Sequence, residues 1–112
     1  MQDLTHLKLT PPDKEEAPLD SSRIQGYLNQ LENWTLEEFN TILRITKIYH
    51  FSDFGSALQF ANRVGELAEQ ENHHPCMCIE WGKVTLSWWT HSIEGLHTND
   101  FIMAARCDRL TA

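Results

Sequence analysis

The sequence predicts an α+β domain in which a single four-stranded antiparallel sheet carries three helices on one face, in the order α-β-β-α-β-β-α. Three observations lead there. Apolar residues recur at helical spacing in three separate stretches, two pairs of strand-like runs lie between them, and 112 residues suffice for one core but not two. Adjacent strand pairs with helices interspersed pack most economically as a layer of helices on one sheet.

Residues 1 to about 19 hold Pro11, Pro12 and Pro18 among Asp13, Lys14, Glu15 and Glu16, without apolar periodicity. They read as a mobile N-terminal arm preceding a domain over 20–112. Asp20 or Ser21 can cap a first helix over about 21–32, in which Ile24, Tyr27, Leu28 and Leu31 share one face. Trp34 to Phe39 reads as a short strand and Asn40 as its turn. The run Thr41 to Phe51 follows, placing Leu43, Ile45, Tyr49 and Phe51 on one side with Lys47 interrupting them. Ser52 and Asp53 offer the next cap. Phe54, Ala57, Leu58, Ala61, Val64 and Ala68 then form a helical stripe, widened by Phe60 and Leu67, that Pro75 forces to end by about Asn72. Two further runs, Cys76 to Trp81 and Lys83 to His91, meet at Gly82. In the second, Val84, Leu86, Trp88 and Thr90 oppose Thr85, Ser87, Trp89 and His91. Gly95 breaks the chain, Thr98 can cap, and Asn99 to Leu110 reads as the last helix.

Composition excludes several classes of function. A net charge of −7 with only nine scattered basic residues argues against nucleic acid as a partner. No apolar run approaches the roughly 20 residues that span a bilayer. Met1 to Leu9 has neither a basic nor an apolar leader region, so the expected compartment is the cytoplasm. Three cysteines, two of them at Cys76 and Cys78, suggest reduced thiols.

The chemistry concentrates in the thirty-two residues from Glu69 to Asp100, which hold four of the six histidines and three of the four tryptophans. A histidine at a helix end is commonly solvated or capping, and tryptophans in a strand are commonly packing. Several histidines gathered in one pocket would instead supply groups that exchange protons near neutral pH. Glu69, four residues before His73, could orient an imidazole while the helix persists, and Asp100 could do the same for His91. A metal is the rival use of His73, His74, Cys76 and Cys78. Their spacing matches neither C-x2-C nor H-x3-H, so no metal is expected.

The pattern Glu69-x3-His73-His74-Pro75-x5-Trp81-x9-His91-x8-Asp100 resembles, without a gap, the signature of the pterin-4a-carbinolamine dehydratases, with seven specified positions matched. Tyr49-His50-Phe51-Ser52-Asp53-Phe54, Gly82-Lys83-Val84, Thr90-His91 and Gly95-Leu96 extend the likeness over residues 20 to 110. The resemblance implies four antiparallel strands with three helices, and a lyase removing water from 4a-hydroxytetrahydrobiopterin without a cofactor. It implies His73, His74 and His91 as the catalytic trio, with Pro75, Trp81, Thr90 and Ser92 at the substrate and Glu69 and Asp100 in support. It further implies tetrahydrobiopterin recycling beside an aromatic amino acid hydroxylase, and assembly as a homodimer or homotetramer. A non-enzymatic protein-binding module of the same fold is the alternative it carries.

Overall fold

The structure, a computed structural model, describes residues 3–111. Its elements follow the expected order: α1 (Ser21–Leu28), β1 (Thr35–Phe39), β2 (Ile42–His50), α2 (Phe54–Glu71), β3 (Cys76–Glu80), β4 (Lys83–Trp88) and α3 (Thr98–Asp108). Short 3-10 turns occupy Leu4–His6, His91–Ile93 and Arg109–Thr111. The strands form one antiparallel sheet in the order β1-β2-β4-β3.

Alternation decides which face of the sheet is covered. Ile45 and Tyr49 of β2 share a face with Val84, Leu86 and Trp88 of β4, and all five are buried. Phe60, Ala61 and Val64 of α2 and Phe101, Ile102 and Ala105 of α3 complete this core. Turns sit where local chemistry allows them. Asn40 and Thr41, both at positive φ (51° and 68°), join β1 to β2 in two residues, and Gly82 at φ 76° joins β3 to β4.

Lys47, which breaks the apolar parity of β2, does lie on the core face, opposite Leu86. Its Nζ reaches the Asp108 carboxylate at 2.8 Å and the Glu32 carbonyl at 3.2 Å. Asp108 also accepts from the indole N–H of Trp34 and the hydroxyl of Tyr49. Burial first, and then that bond, raise the Tyr49 phenol far above its usual range, so it remains a donor. One carboxylate at the end of α3 thus ties β2 and the segment before β1 to the last helix.

Three differences from the sequence expectation have physical causes. First, α1 ends at Leu28, not near 32, and the chain continues in i→i+3 turns (Gln30 N–H to Tyr27, Leu31 N–H to Leu28) to Asn33 at φ 66°. Leu31 still packs on the core, from a turn. Second, β4 stops at Trp88, and Thr90 pairs instead with Gly95, closing a small loop that holds His91.

The third concerns the N-terminal residues, expected as a mobile arm. From residue 3 onward they follow a tethered course along α3. Leu4 is buried, Leu7 and Leu9 pack on the core, and Arg106 donates to the Leu7 carbonyl at 2.6 Å. An extended chain needs no helical stripe to bury leucines one at a time, so periodicity did not reveal the contact.

Two outcomes follow for stability and reactivity. Asp108→Ala leaves Trp34, Lys47 and Tyr49 without their common acceptor, and urea unfolding is expected to show a loss of about 3 kcal/mol. Cys76 and Cys78 are exposed, whereas Cys107 is buried and its thiol is pushed up to about 12 by burial and the nearby Asp108 charge. A thiol reagent is therefore expected to titrate two cysteines in the native protein and the third only on unfolding.

Candidate active site

The histidine pair is set by how α2 ends. Asn72 adopts the left-handed conformation (φ 52°, ψ 43°), which asparagine tolerates better than most residues. Its N–H bonds Glu69 O, and the N–H of His73 reaches back to Ala68 O at 3.1 Å. That pair of bonds is a Schellman closure, which satisfies the last carbonyls of the helix and swings the chain off its axis. The following two side chains then diverge.

The divergence gives each imidazole its own carboxylate, in a pairing different from the expected one. Glu69, which helical register would place beside His73, meets His74 instead, at 2.5 Å between Oε2 and Nε2. Asp100, expected beside His91, takes His73, at 2.7 Å between Oδ1 and Nε2. The helix ends before His73 is reached, so the i, i+4 relation does not apply. The two pairs differ in environment. Glu69 and His74 side chains are 78% and 53% exposed, and such a screened pair contributes under about 1 kcal/mol. Asp100 is fully buried and His73 only 11% exposed.

Asp100 is the most constrained polar group of the site. Its Oδ2 accepts from the Thr90 hydroxyl and from the His97 backbone N–H, each at 2.9 Å, while Oδ1 faces His73. An ionised carboxylate only accepts, so in this pair the donor to Oδ1 is His73 Nε2. The imidazole also lies parallel to the Trp88 indole, with centroids 5.6 Å apart and planes 7° from coplanar. Packing and hydrogen bonding together fix its orientation.

His91 opens the 3-10 turn beyond Thr90 and is exposed. Its ring stacks on Trp89 at 4.5 Å, and the other partner of that indole is Arg44, whose guanidinium lies 4.1 Å from the ring centroid. Arg44 also lies over Phe39 at 4.5 Å, so a ladder of four side chains runs from β1 to His91.

These elements converge on a pocket of about 350 Å³ whose lining includes His73, His74, His91, Thr90, Ser92 and Pro12. That volume lies in the range of small-molecule sites, about 300–1,000 Å³. Five of the residues singled out in the sequence therefore line one cavity, with Glu69 and Asp100 each bonded to one of its histidines. Pro75 immediately precedes β3 and is not among the lining residues. Trp81 is brought elsewhere. It sits in the β3–β4 turn, 73% exposed, and a five-residue strand at about 3.4 Å per residue separates it from the histidines. Among the described residues no three His, Cys, Asp or Glu side chains are gathered as a metal would need, and no helix is long and apolar enough to cross a membrane.

Sequence reasoning missed three contributors. His97, not Thr98, caps α3: its Nδ1 accepts the Asn99 N–H at 3.0 Å, and Asp100 completes a capping box. Histidine is an uncommon cap, so Thr98 was the natural choice. Asn99 and Pro12 were also overlooked, because neither belongs to a stripe or a charged cluster.

A model of the family described as pterin 4 alpha carbinolamine dehydratase matches residues 17–110. A Microcystis aeruginosa protein provisionally named pterin-4-alpha-carbinolamine dehydratase is 46% identical over 108 residues, covering 96% of this chain and 93% of its own. A Vibrio vulnificus protein of the same name is 49% identical, covering 96% and 97%. Among solved structures, a transcriptional coactivator/pterin dehydratase from Brucella melitensis superposes with a TM-score of 0.76 at 26% identity, over 85% of this chain and 99% of that one.

The buried carboxylate makes a direct test of the site geometry. Asp100→Asn keeps the volume but turns an NH2 toward one of the three donors, His73, Thr90 or His97. A loss of about 2 kcal/mol in denaturant unfolding is expected, with a changed His73 ring signal by NMR. An unchanged midpoint and an unchanged ring signal would contradict the hydrogen-bond assignment.

Proposed function

This chain belongs to the pterin-4a-carbinolamine dehydratase family, which makes it a lyase, and we propose that it dehydrates 4a-hydroxytetrahydrobiopterin to the quinonoid dihydropterin by histidine acid–base catalysis. The observation that carries the reading is the pocket in which three imidazoles stand together, one of them backed by a buried carboxylate.

The reaction moves two protons. The hydroxyl on C4a takes one and leaves as water, with the electrons of the C–O bond. The adjacent ring nitrogen forms a double bond to C4a and releases its N–H proton. A residue type that both gives and takes protons near neutral pH serves both ends of this exchange. His73 suits the base: its Nε2–H is committed to Asp100, so Nδ1 receives the ring N–H proton. His91 and His74, closer to solvent, supply the proton to the departing hydroxyl and recover it from water. Thr90 holds Asp100 and helps line the pocket, Ser92 offers a hydroxyl at its rim, and Pro75 fixes the backbone after the histidine pair. The chemistry requires no metal or organic cofactor.

The substrate arises where an oxygenase hydroxylates C4a of a tetrahydropterin, as aromatic amino acid hydroxylases do, and the product is one that a reductase returns. Tetrahydrobiopterin recycling is the setting of this reading. The Brucella melitensis relative bears a coactivator description beside its dehydratase one, which supports a second role in protein binding. Co-purification from the native host reads that role separately. Assembly as a homodimer or homotetramer belongs to the same proposal.

Stopped-flow absorbance with chemically generated 4a-hydroxytetrahydrobiopterin tests the lyase. The wild-type chain is expected to exceed the spontaneous rate, and His73→Ala, His74→Ala and His91→Ala are each expected to lower kcat by about 10²–10⁴-fold. Folded wild-type protein that leaves the spontaneous rate unchanged would sink the proposal.

A further inference from the structure

We propose that Pro12 forms a wall of the substrate pocket and that Asn99, by gripping Thr10, is the positioning residue that holds it there. The inference rests on the dehydratase reading of that pocket and deepens it.

The tether is specific. Asn99 is 3% exposed, and both ends of its amide are used by one residue: Nδ2 donates to the Thr10 carbonyl at 2.7 Å, and Oδ1 accepts the Thr10 N–H at 3.0 Å. The side chain thus mimics a strand neighbour for an otherwise unpaired stretch of backbone. It precedes Asp100 directly, so the residue holding the arm and the residue holding His73 are neighbours in the first turn of α3.

The segment is placed against the catalytic groups. Pro12 lines the cavity that contains His73, His74 and His91. A second hollow, of about 300 Å³, is lined by Leu9, Thr10, Pro11 and Pro12 on one side and by Asn72 and His73 on the other. Pro12, Asn72 and His73 border both hollows.

The arm is also fixed on both sides of the prolines. Before them, Arg106 bonds the Leu7 carbonyl. After them, Glu16 lies 3.1 Å from His97 Nε2, and the Leu19 N–H bonds Leu96 O at 2.9 Å. Pro18 crosses Gly95 so closely that a Cβ there would come within 2.7 Å of it. Two successive prolines have restricted φ and no N–H, so the wall is stiff and presents apolar rings and carbonyls. Such a surface suits the face of a flat heterocycle. It takes part in no proton transfer, so it contributes to substrate binding in the ground and transition states alike.

Asn99→Ala and Pro12→Gly in the full-length chain separate this role from the chemistry. KM for 4a-hydroxytetrahydrobiopterin and the Kd of unreactive 7,8-dihydrobiopterin, followed by tryptophan quenching, are expected to rise about tenfold, with kcat within about twofold of wild type. Pro12→Gly retains every tether named above, so it remains informative if Asn99→Ala fails to fold. Wild-type KM and Kd in Pro12→Gly, or a fall in kcat with KM unchanged, would overturn the wall. A wild-type chain that neither binds the dihydropterin nor exceeds the spontaneous rate would instead remove the dehydratase reading, and the wall with it.

Discussion

A carboxylate with no exposed surface must replace its water with donors, and Asp100 does so with the His73 ring, the Thr90 hydroxyl and the His97 N–H. An ionised group buried without such partners would cost several kcal/mol, so each of the three is required for the others to be tolerated. The donors come from the junction after α2, the bridge residue beyond β4 and the cap of α3. Holding the charge therefore fixes the relative placement of three elements that are far apart in sequence. The fold and the proposed proton-transfer site share this one constraint.

Most of the fold was legible because its elements obey simple periods. The stripe of α2 and the alternation of β2 and β4 are local patterns, and they give most of the buried faces, although Phe54 and Leu58 of that stripe are exposed. Lys47 shows where a period needs a second idea: it keeps the register of the apolar residues because its stem is apolar, and only its tip needs Asp108. The extent of α1 was not legible, since Gln30 and Leu31 form turns whose sequences resemble a continuing helix.

His73, His74, Thr90, His91 and Ser92, which line the pocket, stood out in the sequence, but the pairing of the two acids did not. Glu69 and Asp100 were both recognisable as supporting acids, yet each serves a different histidine from the one its spacing suggests. The left-handed conformation of Asn72 decides the matter, and one dihedral pair leaves little trace in composition. Trp81 is the converse case. It is a specified position of the family pattern, and yet the direction of β3 carries it away from the pocket of its own chain. The arm escaped notice because its anchors are single leucines, backbone carbonyls and one amide, none of which repeats.

The closure at Asn72 has a consequence for how such a chain can vary. Connections between a helix and a strand usually absorb insertions and deletions, since they run over the surface with slack to spare. Here the junction from Glu71 to Cys76 has none, because two successive side chains must reach acids on two different helices. One residue more or fewer would rotate both imidazoles at once and exchange or lose their partners. Length drift among descendants of this sequence should accordingly collect elsewhere, in the β1–β2 turn or ahead of α1, leaving this connection as the fixed ruler of the domain.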